Sequence, residues 1–227
     1  MCGRTALATA PSVLAERFGV SIPDAYAPRQ NIAPSEALLA VRNDQPTAAT
    51  ELTWGFLPEW ADAPTDGPTP INARSETVEE KRLFSEAFSA QRCLLLADGF
   101  YEWAGPERRK QPYRIERVDG APYAYAGLWS HWRGDDAERW SCVILTTEAN
   151  ETVGAIHDRM PVMLEPGEEQ IWLDGAGPEA WRSVFDPYPY DYLRGYPVST
   201  QINDSTYEGP ACTTEIGSQS GLDDSGG

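Results

Sequence analysis

The chain opens Met1-Cys2-Gly3-Arg4, and loss of Met1 leaves a cysteine whose α-amino group is free. Such a residue carries two nucleophiles on adjacent carbons. The amine condenses with an aldehyde to an imine, and the thiol then closes a five-membered thiazolidine on the same carbon. An α-amino group titrates near pH ~7.7–8.0 and a thiol near ~8.5, so both are partly reactive at neutral pH. By position alone Cys2 is equally well an early cysteine on a frayed terminus.

Three further segments gather reactive side chains: Ile71-Asn72-Ala73-Arg74-Ser75-Glu76-Thr77, Asp98-Gly99-Phe100-Tyr101-Glu102-Trp103 and Ile156-His157-Asp158-Arg159-Met160-Pro161-Val162. Asn72 is uncharged and both donates and accepts hydrogen bonds, which suits orienting a nucleophile or a sugar hydroxyl. Glu102 sits among aromatics that would raise its pKa and fit it to shuttle protons. His157, with an ordinary pKa near ~6.5, suits proton donation. An arginine follows two positions after Cys2, Asn72 and His157 (Arg4, Arg74 and Arg159). Singly, each has a plainer account: Asn72 shaping a turn, Glu102 paired with an arginine, His157 as a structural hydrogen-bonder.

The formal charge is −17, and Lys81 and Lys110 are the only lysines. Such a field repels phosphate, so a polyanion must meet a local arginine cluster. Scattered acids with few lysines read as adaptation to a high-salt cytoplasm, where screening shortens the self-repulsion; the rival reading is a basic partner. Cys2, Cys93, Cys142 and Cys212 show no CxxC spacing, and His131 and His157 stand at no zinc-finger interval, which argues against a disulfide framework or metal. No run of eighteen apolar residues exists to span a membrane, and no secretory signal is visible. A cytoplasmic protein without cofactor or metal, working as a monomer, is expected.

These groups must be positioned by an α+β domain with a mainly antiparallel, barrel-like β core and peripheral helices. Pro11–Phe18 reads as a short helix with Gly19 beyond its end. Strands are expected over 36–42, 51–56, 93–97, 100–103, 113–118, 123–132, 140–146 and 196–200. The proline-marked stretch 58–70 reads as a loop. A helix is expected over 75–89, capped by Ser75, with Phe84 and Phe88 on its buried face, and two shorter ones over 168–173 and 178–185. The domain is placed at 1–205, and 206–227, rich in Gly, Ser, Thr and Asp, is expected to be a disordered tail.

The four reactive segments, with Asn31-Ile32-Ala33-Pro34, Trp54-Gly55-Phe56-Leu57-Pro58 and Gln111-Pro112-Tyr113, resemble the SOS-response-associated peptidase (SRAP) family from residue 1 to about 198. The resemblance implies a sensor of abasic sites in single-stranded DNA that crosslinks its N-terminal cysteine to the opened sugar. Carried over by motif, Cys2 is the nucleophile with Asn72, Glu102 and His157 around it. Arg4, Arg74 and Arg159 would take phosphates, with pairing to Asp98 or Asp158 as the alternative for Arg74 and Arg159; Trp54 or Trp103 would offer a stacking face. Thr146 falls where the family has an active-site threonine, and Pro34 lies in a loop near the DNA. Tyr196 stands where bacterial relatives carry a histidine, which puts DNA contacts at the C-terminal edge in question. Two other functions stay open: an N-terminal-cysteine hydrolase of peptides or amides, and a reversible single-strand-binding module in which Cys2 merely packs.

Overall fold

A computed structural model describes residues 2–62, 69–106 and 109–217. Strand β1 (Thr5–Leu7) leads into helix α1 (Pro11–Phe18), which Gly19 ends in the left-handed region at φ 67° while its N–H reaches Ala15 O. Then come β2 (Arg29–Ile32), β3 (Ala37–Arg42), β4 (Ala49–Trp54), β5 (Asn72–Arg74), α2 (Ser85–Ala90), β6 (Arg92–Ala97), β7 (Gly99–Ala104) and β8 (Gln111–Arg117). The long strands β9 (Tyr123–Arg133) and β10 (Glu138–Glu148) precede α3 (Glu151–Gly154), β11 (Arg159–Pro161) and β12 (Met163–Leu164). Helices α4 (Pro166–Asp174) and α5 (Pro178–Arg182) and strand β13 (Leu193–Pro197) follow. The α+β expectation holds.

Strands β3, β4, β10, β9 and β6 pair in turn, and β6 returns to β3, closing a five-stranded barrel. Only its β4–β10 contact is parallel. Every residue of β6 is buried, as its unbroken apolar run requires. A second, antiparallel sheet runs β13-β8-β7-β1-β2, joined to the barrel where β6 passes through Asp98 into β7. Outside the barrel, Phe88 of α2 packs against Trp172 and Trp181. Buried Arg92 donates to the carbonyls of Phe88, Ser89, Trp172 and Leu173, satisfying the helix-end acceptors of α2 and α4.

The helix expected over 75–89 is confined to Ser85–Ala90. Asn72–Arg74 instead pair with β10 in parallel, and the Ser75 N–H continues that ladder to Thr146 O at 2.9 Å. That donor is used in sheet, and Ser75 caps nothing. The tail expected from 206 is also partly built into the body. Cys212 is buried with Tyr101, Tyr196 and Val198, Glu208 accepts the Gln30 N–H and pairs with Arg29, and the Ile216 N–H reaches Pro197 O. Residues 218–227 lie outside the described residues. The strand expected at 196–200 falls earlier, at Leu193–Pro197, and 200–203 form a 3-10 turn.

Candidate functional site

Residue Cys2 precedes β1, and its side chain is fully buried. The Asn72 amide donates to the Cys2 main-chain carbonyl at 2.8 Å. Asn72 holds that position because β5 lies on β10, with Asn72 opposite Ile144. From below, the Trp54 indole N–H donates to Ile71 O at 2.8 Å, pinning the residue before Asn72. Burial pushes the Cys2 thiol up from its ordinary range, and the charge of Glu102 adds to the shift. The resting sulfur is therefore a thiol, and a thiolate must be generated by a neighbouring base.

Glu102 lies on β7 opposite Tyr113 of β8 and is 3% exposed. Burial pushes its carboxyl up to about 7, which leaves acid and conjugate base both populated at neutral pH. His157 follows the turn that ends α3. Its Nδ1 accepts the Arg159 N–H at 2.9 Å and stands 3.0 Å from the exposed Asp158 carboxylate. Accepting an N–H requires an unprotonated Nδ1, so Nε2 carries the proton in the neutral ring. Burial lowers the His157 pKa, in keeping with that neutral form and at odds with a histidine that is the proton reservoir near pH 7. That capacity sits with Glu102. Asp158 acts electrostatically on both Glu102 and His157, which ties the histidine turn to the carboxyl.

The arginines differ in setting. Arg4 Nη1 donates to Asn31 Oδ1 at 2.5 Å and to Ile202 O at 2.8 Å, and its Cζ stands 6.0 Å from the Trp103 ring centre. Arg159 makes a two-pronged pair with Glu76 and donates to Thr146 O at 2.6 Å. Arg74 is exposed at the end of β5. Neither Arg74 nor Arg159 goes to Asp98, which instead pairs with Arg114. Arg4 Nε, Arg159 Nε and Asn72 Oδ1 are buried without a hydrogen-bond partner among the described residues. Buried polar groups are ordinarily satisfied, so Asn72 Oδ1, on the side chain that clamps Cys2, marks a place for a polar ligand.

Trp54 has no exposed surface and offers no stacking face; its work is to hold Ile71. Thr146 is likewise fully buried, and its hydroxyl lies 3.4 Å from Ala73 O. Trp103 is half-buried, its indole N–H on Asn203 Oδ1. Pro34 is half-buried in a tight loop, where Ser35 has φ 75° and donates its N–H to Trp54 O. Tyr196 is buried opposite Arg114, a packing residue on the face away from Glu102. Asn31 was legible only as part of a motif, yet its fully buried amide receives Arg4 and donates to the carbonyls of Ile202, Asp204 and Tyr207. Among the described residues, no group of three or more His, Cys, Asp or Glu could hold a metal ion.

Comparison with known proteins places these features in context. Residues 1–205 match the family model for the SOS response associated peptidase (SRAP). The chain is 37% identical over 211 residues to the abasic site processing protein YoaM of Bacillus subtilis, covering 89% of this chain and 93% of that protein. It is 33% identical over 221 residues to the abasic site processing protein YedK of Escherichia coli, covering 92% and 97%. A solved structure from Bordetella bronchiseptica superposes with a TM-score of 0.77 at 27% identity, over 87% of this chain and all of that one.

Proposed function

The chain belongs to the SOS response associated peptidase family, and from that premise we propose that it captures abasic sites in single-stranded DNA, joining Cys2, freed of Met1, to the opened deoxyribose as a thiazolidine. The observation that carries this reading is the setting of Cys2. Its carbonyl is clamped by Asn72, its thiol is buried, and the carboxyl that acts on it is poised near neutrality. The designation of the relatives as abasic site processing proteins supports the substrate.

The steps balance without a cofactor. An abasic sugar is mostly a closed hemiacetal; as the His157 Nε2–H donates to its ring oxygen, the proton leaving the C1 hydroxyl returns through water to the histidine ring, so the aldehyde opens and His157 ends neutral. The neutral Cys2 amine adds to that aldehyde and gives a carbinolamine. Glu102 as the acid protonates the departing hydroxyl, which leaves as water, and an iminium remains. The resulting Glu102 carboxylate takes the proton from the buried thiol, and the thiolate closes on the iminium carbon. Glu102 ends as it began, and the net loss is one water. Its value of about 7 suits both halves of this exchange.

The DNA reading follows the same atoms. Phosphates flanking the lesion would be met first by exposed Arg74, with Arg4 and Arg159 as further contacts. Trp103 is the aromatic face left for a base. The test mixes protein lacking Met1 with a single strand carrying one abasic site, beside Cys2→Ala. A denaturing gel and intact mass should show protein plus DNA less one water for the wild type and no adduct for the variant. Absence of adduct from protein whose mass confirms Met1 removal would overturn the reading. Peptide turnover without DNA would favour the hydrolase, and reversible binding of intact and abasic strands alike the binding module.

A further inference from the structure

The arginine that follows His157 already holds an anion. Arg159 lies on β11 opposite Glu148 of β10, and its side chain is 13% exposed. Its Nη1 donates to Glu76 Oε1 at 2.5 Å and its Nη2 to Glu76 Oε2 at 2.9 Å. Nη2 also donates to Thr146 O at 2.6 Å, and Nε is buried away from solvent. The guanidinium edge formed by Nη1 and Nη2 is thus the one a phosphate would take, and the Glu76 carboxylate occupies it. A carboxylate and a phosphate present the same pair of oxygens to an arginine fork.

The backbone delivers Glu76 to this place. β5 ends at Arg74, the next N–H, that of Ser75, fastens the chain to Thr146 O at 2.9 Å, and Glu76 follows. One carbonyl therefore anchors both the turn that carries Glu76 and the arginine that Glu76 meets. The Arg159 hydrogen bond, with the charges of Arg159 and Arg74, holds the Glu76 carboxyl below its ordinary range, so it is ionised at neutral pH. Away from the fork it faces other acids. Glu148 and Asp186 line one adjoining cavity, of about 260 Å³. Glu79 and Glu80 line a second, of about 320 Å³, where Arg182 is taken up by Glu79. Like charges in both directions push a released carboxylate back toward the arginines.

We propose that Glu76 is a resident stand-in for a DNA phosphate and sets how firmly undamaged single strands are held. Arg159 engages a strand only by exchanging Glu76 for a phosphate, so every strand meets a competitor built into the site. Undamaged strands then exchange quickly, and lasting residence on DNA depends on the covalent step at Cys2. This inference rests on the abasic-site reading for the identity of the anion, and its test separates the two.

Full-length protein lacking Met1 is compared as wild type, E76Q, R159Q and E76Q/R159Q. Fluorescence anisotropy reads reversible binding of a labelled intact single strand, and single-turnover capture reads an abasic one. E76Q keeps the side-chain shape and removes its charge, so it should bind the intact strand about tenfold more tightly, the usual worth of a hydrogen bond to a charged group. The half-saturating concentration of the abasic strand should fall by a similar factor, with no rise in the maximal crosslinking rate. The gain should vanish in E76Q/R159Q, which should bind as R159Q does. E76Q binding no tighter than wild type would overturn the stand-in and leave Glu76 as a strut that orients Arg159. A gain that persists in the double variant would overturn it too, as the loss of one negative charge from the general field. A wild type that forms no adduct, beside an E76Q that tightens on the intact strand through Arg159, would overturn the chemistry and keep the stand-in. Adduct formation without an E76Q gain would do the reverse, and binding by none of these proteins overturns both.

Discussion

Two side chains at the centre of the site were assigned proton work from their residue types alone, and their surroundings redistribute it. The raised carboxyl of Glu102 comes from burial on the face of β7 away from its sequence neighbours Tyr101 and Trp103, and the lowering of His157 likewise depends on burial, which only folding supplies. The Glu102 shift also has a cost that can be measured. A carboxyl raised to about 7 from an ordinary 4.5 favours the folded state while protonated. Its contribution is complete below pH 4.5 and is lost as pH rises through 7. The size of that loss is about 3 kcal/mol. Denaturant unfolding of Glu102→Gln, whose amide never ionises, should therefore gain on the wild type by that order between acid and mildly alkaline pH. Parallel stability curves would place the Glu102 pKa near its ordinary value and remove its fitness for the proposed shuttle. In crosslinking, the same variant should be slower by roughly 10²–10⁴, the usual worth of a positioned acid–base group.

Among the elements, long strands with continuous apolar or alternating patterns were legible, and short ones were not. β6, β9 and β10 could be read because each satisfies its own pattern, whereas β1, β5 and β11, at three residues apiece, exist only because a longer neighbour offers its edge. The same reason explains the false helix: Asn72-Ala73-Arg74 is claimed by β10 before any helix can begin at Ser75. Composition also misled at the C-terminus, since a polar segment counts as loose until its backbone finds partners. Here Asn31 supplies them, donating to the carbonyls of Ile202, Asp204 and Tyr207 while it accepts Arg4. Asn31→Ala should consequently free 199–217 and release Arg4, at a stability loss of about 2–4 kcal/mol for several buried hydrogen bonds. Hydrogen exchange would show amides of that segment opening ahead of the barrel. Unchanged protection there, with a lowered melting point for the whole chain, would mean that Asn31 supports the core generally and fastens no segment.

For the whole molecule, the surplus of acid sets two trends of opposite sign. Mutual repulsion of surface carboxylates destabilises the compact state, and raising monovalent salt from ~0.1 to ~1 M shortens the Debye length from about 10 to about 3 Å. The melting temperature should rise across that range by about 5 °C, a gain of one to two kcal/mol for a chain of this size. Phosphate contacts weaken over the same interval. Three of them, at Arg4, Arg74 and Arg159, would cost about a hundredfold in half-saturating DNA concentration. The covalent step resolves the conflict, because a thiazolidine once closed does not depend on counterion release; at saturating DNA the crosslinking rate should be flat with salt. Thermal melts and single-turnover capture across one salt series read both trends from one preparation. A melting temperature that falls with salt would mean that the acids are engaged in attractive pairs, and would favour a surface built for a basic partner over one built for brine.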